Sequence, residues 1–281
     1  MRLSTSLHDR DVAGLTYVYP VVSRRAGGVS LGINLNPNNA CNWRCVYCQV
    51  PGLVAGKGPP IDLALLEREL DVMLSAIVRG DYLERHVPEG SRRLVDVAFS
   101  GNGEPTSSPQ FVEAIEVVAR VLERFGLAGK IGVVLITNGS LVHLPQVRSG
   151  LAALAHIGGV AWFKLDSATE EGRARLNDAQ ITNERVRENL LACAGILPTW
   201  VQTLVLARRG EPPSPTETAA YLDFLGGVLG ARAPLAGVLL YGIARTSWQP
   251  EAPELAPLPA SWMDAFAARI RALGLEVRVS L

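Results

Sequence analysis

Apolar residues along this chain fall into two alternating rhythms. Short runs rich in Val, Ile and Leu occupy residues 29–35, 94–99, 131–136, 160–165, 200–206 and 236–241, and each predicts a buried strand. Between them, patterns apolar on one face predict helices over 61–78, 110–125, 144–156, 183–194 and 215–229. A last helix over 260–273 precedes a short strand at 276–279. Start and stop signals agree with these spans. Ser108-Pro109 and Ser214-Pro215 pair a capping residue with proline, Thr182 stands ahead of the fourth helix, and Gly126 follows the second. Six strand–helix repeats predict an α/β fold of parallel strands with right-handed crossovers. The periodicity fits a doubly wound sheet and a barrel equally well.

No linker, internal repeat or low-complexity segment marks a second domain. Residues 1–28 read as an extension packed on a single domain covering 29–281, and the Pro-rich 250–259 reads as an ordered loop. The chain has 281 residues, enough for a large core, with 27 Lys plus Arg balanced by 27 Asp plus Glu. That balance gives no call for a nucleic-acid or membrane partner. The most apolar stretch, 225–244, is interrupted by Arg232, Pro234 and several glycines, which a membrane helix would not tolerate. The charged start, MRLSTSLHDRDVAG, lacks the apolar core of a signal peptide, so the expected location is the cytoplasm.

Candidate chemistry concentrates at Cys41, Cys45 and Cys48 in CNWRCVYC. Three thiols at CX3CX2C spacing can hold three irons of a [4Fe-4S] cube and leave the fourth iron open, whereas closed cluster sites use four cysteines. A structural zinc site also needs four ligands, and no His or further Cys lies nearby. Three cysteines pair badly as disulfides. Cys193, on the apolar face of the fourth predicted helix beside Leu190, Leu191 and Ile196, reads as a small core residue.

Further polar residues cluster at predicted strand ends. SGNGEP, Ser100 to Pro105, follows the second strand; Gly101 and Gly103 permit a close backbone approach, and Glu104 offers a carboxylate. LITNGS ends the third strand with Thr137 and Asn138, which also suits an ordinary Asn-Gly turn. In FKLDSAT, Lys164 and Asp166 alternate with Phe163 and Leu165 and so share the opposite face, where they either pair with each other or meet a ligand. Gln202 and Thr203 interrupt the apolar fifth strand. Tyr241, Ile243 and Arg245 follow the sixth, and an arginine there suits a carboxylate or phosphate or an ordinary surface ion pair.

The CX3CX2C loop, with Tyr47 just before the third cysteine, resembles the hallmark of the radical S-adenosylmethionine (SAM) superfamily. The resemblance implies a partial (β/α)6 TIM-like barrel, one [4Fe-4S] cluster on Cys41, Cys45 and Cys48, and SAM chelated at the open iron. It implies reductive cleavage of SAM to a 5′-deoxyadenosyl radical that abstracts hydrogen from a substrate, and a reducing partner of the flavodoxin or ferredoxin kind. By the same resemblance SGNGEP corresponds to the GGEP-like segment that binds the amino group of SAM. Tyr47, Gly101, Gly103, Glu104, Asn138, Asp166, Ser167, Gln202, Tyr241 and Ile243 become cofactor-binding candidates, with Asp166 and Ser167 toward the ribose. Arg245, Arg24 and Arg25 become substrate candidates.

Ser23-Arg24-Arg25, residues 30–35, 99–106 and 164–171 are similar to wyosine-synthase-related Fe–S oxidoreductases, from about residue 20 to the C-terminus. Val22 stands where proline is usual in that branch. Membership in this branch assigns no substrate: Arg245 suits a small anionic molecule, the wyosine relationship suggests a guanosine in tRNA, and a non-catalytic electron carrier is the alternative from another class.

Overall fold

In a computed structural model, residue 3, residues 13–23 and residues 27–281 are described. The chain forms two compact units, each assembled from separate stretches.

The first unit comprises Met1–Asn42, Gly56–Ile136 and Gln146–Val160. Its strands are β1 (Val18–Ser23), β2 (Gly28–Ile33), β3 (Leu94–Phe99) and β4 (Gly132–Thr137, whose last residue belongs to the other unit). β2, β3 and β4 run parallel, as the patterning predicts, and β1 pairs antiparallel with β2. β1 falls inside the segment expected to be an extension, and its Pro20 had obscured it as a strand. The helices are α1 (Leu63–Val78), α2 (Tyr82–His86), α3 (Phe111–Arg124) and α4 (Pro145–His156, whose first residue belongs to the other unit). α1 is capped by Asp62, which accepts from the amide of Leu65. It buries Leu66, Leu70, Met73, Leu74 and Ile77, at the spacing of one helical face. Glu69 shares that buried face, and its carboxylate accepts the backbone N–H groups of Thr16, Tyr17 and Val18 at 2.8, 2.7 and 3.2 Å. α3 starts one residue later than expected. Gln110 occupies the cap position, and Ser108 makes only a 3.4 Å contact to its amide.

The second unit comprises Trp43–Ala55, Thr137–Pro145 and Ala161–Leu281. Its strands β5 (Val160–Lys164, whose first residue belongs to the first unit), β6 (Thr199–Val205), β7 (Leu235–Gly242) and β8 (Val277–Ser280) all pair in parallel. Its helices are α5 (Glu170–Asn177), α6 (Asn183–Ala194), α7 (Pro215–Gly230) and α8 (Ala260–Arg271). Thr182 and Ser214 cap α6 and α7 through the amides of Arg185 and Glu217, as their sequence signatures predict. α5 was not predicted. Its inward residues, Arg173 and Asn177, are polar, so the helix has no apolar stripe to reveal it. Cys193 is fully buried on α6, where Thr199 donates to its sulfur at 3.5 Å, consistent with a core residue.

Candidate functional site

In the first unit, the SGNGEP turn leaves the end of β3 and is knitted to residues 34–40, the segment leading into Cys41. Asn34 Oδ1 accepts the amides of Asn36 and Asn102, both at 3.1 Å. Asn36 donates to the Ala40 carbonyl at 3.0 Å and to Ser107 Oγ at 3.2 Å. A Cβ on Gly103 would stand 2.0 Å from the Ala40 carbonyl oxygen, and one on Gly101 would stand 2.5 Å from Asn34 Oδ1. The glycines therefore allow the chain's own segment to approach closely, which the sequence alone had suggested for a ligand. Glu104 is 2 % exposed, and its Oε1 accepts from the amide and hydroxyl of Thr106 at 3.1 and 2.7 Å.

In the second unit, the loop carrying Cys45, Tyr47 and Cys48 is gripped along its backbone. The amides of Arg44 and Val46 donate to the carbonyls of Asn177 and Leu176 at the end of α5, at 3.0 and 2.8 Å. Ser247 Oγ donates to the carbonyls of Val46 and Cys48, at 2.8 and 3.1 Å, and the Trp248 amide donates to Cys48 at 2.9 Å. Val46 and Tyr47 pack with Leu204 and Leu206, flanked by Cys45, Leu176, Tyr241 and Ile243. Two amides and two carbonyls of the loop are thus satisfied by protein, which fixes its course.

Asp166 is the hub of this unit. One carboxylate oxygen accepts the Leu204 amide at 2.9 Å; the other accepts from the Tyr47 hydroxyl and from Asn177 Nδ2, the latter at 2.8 Å. Lys164 Nζ lies 3.8 Å from the same oxygen and donates to the Tyr241 hydroxyl at 3.1 Å. The mutual ion pair weighed from sequence is therefore present. Burial opposes the Lys164 charge, but Asp166 overrides it and the ammonium is held above its ordinary pKa. Burial and then Asp166 hold the Tyr47 hydroxyl well above its usual value, so it stays a donor. Burial pushes the Cys45 thiol up to about 11, with Lys164 and the Asn177 amide pulling the other way.

Ser167 donates to Glu217 at 2.7 Å, and Glu217 also receives Thr169 Oγ1 and Arg175. Asp166, Ser167, Leu204, Leu206, Glu217 and Tyr221 line part of a cavity of about 470 Å³ in this unit. Asn138 sits in a tight turn in which its Oδ1 accepts from the amide and hydroxyl of Ser140, at 3.0 and 2.7 Å. Gly139, with φ of +70°, packs where a Cβ would lie 2.0 Å from the Phe163 ring. Gln202 is 1 % exposed, and both atoms of its amide lack a hydrogen-bond partner. Arg245 is half-buried just beyond β7. Arg24 and Arg25 lie outside the described residues. Sequence reasoning missed Asn34, Asn36, Arg173, Asn177 and Glu217, all buried or bonded polar groups inside their own unit.

A family model described as the Radical SAM superfamily matches residues 35–221, more than half of the chain. The chain belongs to the radical SAM superfamily. A radical SAM methyltransferase from Sphaerobacter thermophilus aligns with a TM-score of 0.57 and 17 % identity, covering 90 % of this chain and 66 % of that one. Among curated proteins, "GTPase Obg" of Brachyspira hyodysenteriae is 27 % identical over 47 % of this chain and 17 % of its own length. "UPF0026 protein MJ1312" of Methanocaldococcus jannaschii is 28 % identical over 62 % of this chain and 48 % of its own. The chain thus spans less than half the length of either curated relative.

Radical SAM enzymes use a [4Fe-4S] cluster and SAM, and the fold class is the α/β, partial-barrel type expected. The residues present fit those groups in two respects. Cys41, Cys45 and Cys48 are in no disulfide and are partly exposed. Gln202 is a buried amide still lacking polar partners, which a polar ligand would supply. Among the described residues no three His, Cys, Asp or Glu side chains stand grouped as a ready-made metal site. No described helix is long and apolar enough to cross a membrane.

Proposed function

We propose that Cys41, Cys45 and Cys48 hold the cluster, that Glu104, Asn138, Asp166 and Ser167 hold SAM, and that the substrate is a small anionic molecule. Tyr47, Gly101, Gly103, Gln202, Tyr241 and Ile243 complete the cofactor surroundings, and Arg245 engages the substrate. Bound together, cluster and SAM supply reductive cleavage to methionine and a 5′-deoxyadenosyl radical that takes hydrogen from the substrate. A small reducing protein such as a flavodoxin or ferredoxin supplies the electron from the cytoplasm.

The observation that carries the small-anion reading is Gln202. It stands in register with Lys164 across β5 and β6, and a buried amide without partners costs about 1–3 kcal/mol unless a ligand completes it. A polar ligand there meets the Lys164 ammonium, which favours an anion. The other residues of the second unit hold charges and protons in place. Asp166 keeps Lys164 charged, Tyr47 retains its proton as a donor to Asp166, and Val46, Leu204 and Leu206 exclude water beside them.

Two measurements test the roles. Glu104→Ala is expected to weaken SAM binding roughly ten- to a hundredfold, the worth of a charge-assisted hydrogen bond to the ammonium, while iron content stays at the parent level. Glu104→Gln keeps an acceptor for Thr106 and separates this loss from the lost cap. SAM affinity unchanged by calorimetry would give the turn a purely structural role. Arg245→Ala is expected to spare SAM cleavage in the absence of substrate and to depress product formation. Turnover that falls steeply with added salt would instead point to tRNA, since phosphate contacts release counterions. Salt-insensitive turnover together with a silent Arg245→Ala would defeat both substrate readings.

A further inference from the structure

We propose that Asn177 is a positioning residue for the redox centre: its side-chain amide fixes the Cys45 sulfur, sets the reduction potential of the cluster and couples it to Asp166. This rests on Cys45 being a cluster ligand.

Asn177 ends α5 and is fully buried. Its Nδ2 lies 3.2 Å from Cys45 Sγ, 2.8 Å from Asp166 Oδ2 and 3.4 Å from the Tyr47 hydroxyl. An amide nitrogen carries two protons, and here the two closest acceptors are a carboxylate and the sulfur that becomes a thiolate on iron. Turning the amide over would set its oxygen against both anions, so the chemistry of the neighbours fixes its orientation. The outcome is visible at the other end of the group: Oδ1 is buried without a partner. Leaving that carbonyl unsatisfied carries a cost, and the N–H contacts to sulfur and carboxylate are what the position retains in return.

The backbone supports the same reading. Hydrogen bonds from Arg44 and Val46 to Asn177 and Leu176 bracket Cys45 on both sides. The amide cannot drift from the sulfur without breaking them. Asp166, fixed in turn by the Leu204 amide, holds the second N–H. One side chain thus joins a cluster ligand to a carboxylate proposed to face SAM. Hydrogen bonds to cluster sulfurs stabilise the more negative, reduced state and raise the potential.

The test is the midpoint potential of the reconstituted cluster, read by EPR during an anaerobic titration without SAM or substrate. Asn177→Leu keeps the volume and removes the donor. It is expected to load parental iron and sulfide and to be about tenfold harder to reduce, a downward shift of about 59 mV for a one-electron couple. Asn177→Ser, which retains a short donor, is expected to recover part of the shift. Parental potentials in both variants at full iron content would overturn the proposal. So would failure of both to load iron, which would make Asn177 a support of the loop and nothing more. A parent protein that loads no iron would overturn this proposal and the ligand assignment together.

Discussion

Replacing Cys41, Cys45 or Cys48 by Ala should abolish the cluster and all SAM cleavage. The parent, reconstituted anaerobically, should bind about four irons and four sulfides, with SAM perturbing the EPR spectrum of the reduced cluster. Three protein thiols leave no spare, because a cube held by two loses an anchor that no neighbouring His or Cys among the described residues replaces. Cys193→Ala should keep full iron content, since its sulfur is buried on α6 and bonded to Thr199. Its cost should be about 1 kcal/mol of stability, the ordinary size of a small core truncation. Iron analysis and EPR on the four variants decide the matter. Dependence on Cys193, or stable zinc in place of iron, would refute the assignment.

Asp166→Ala should be the most damaging single substitution to the fold of the second unit. It removes the acceptor for the Tyr47 hydroxyl, the Asn177 amide and the Leu204 amide at once. It also leaves the buried Lys164 ammonium without its counter-charge. Breaking one partner of a buried ion pair costs about 3–5 kcal/mol, because the surviving charge stays desolvated. That is a large share of the roughly 5–15 kcal/mol that stabilises a typical domain. Urea denaturation of the apoprotein should therefore show a markedly lower midpoint with an unchanged slope. A loss below about 1 kcal/mol would mean that water replaces the carboxylate and that the hub is wet.

Strands were the most readable part of the sequence. Five of the six strands expected from apolar runs lie within one residue of those runs, because a strand buried on both faces advertises itself by composition. Gly28–Ile33 ends two residues before its apolar run does; just past it the Asn34 amide still donates to the Tyr17 carbonyl at 2.8 Å while its side chain accepts the amides of Asn36 and Asn102. α5 stayed invisible for the opposite reason. Arg173 and Asn177 face inward on it, and periodicity methods see only apolar stripes.

The site divides the same way. The three thiols and SGNGEP were legible because their spacing is local. Asn177 was not, since its sulfur partner lies 132 positions away and a lone Asn at a helix end looks like any turn residue. Glu217 met Ser167 across 50 positions and was equally silent. Gln202, a polar residue inside an apolar strand, and Asp166, alternating with apolar neighbours, were long-range participants that their own surroundings betrayed.

The carboxylate of Glu69 has a consequence for how this protein keeps company with others. Among the described residues β1 pairs with β2 alone, and the outer margin of such a strand ordinarily offers unsatisfied donors to any extended peptide. Here Glu69 already holds the N–H groups of Thr16, Tyr17 and Val18, and Pro20 has none to give. The N-terminal part of that margin is left with fewer donors for a foreign strand. A helix side chain aimed inward thereby withdraws donors that edge-to-edge self-association would use at this end of the strand.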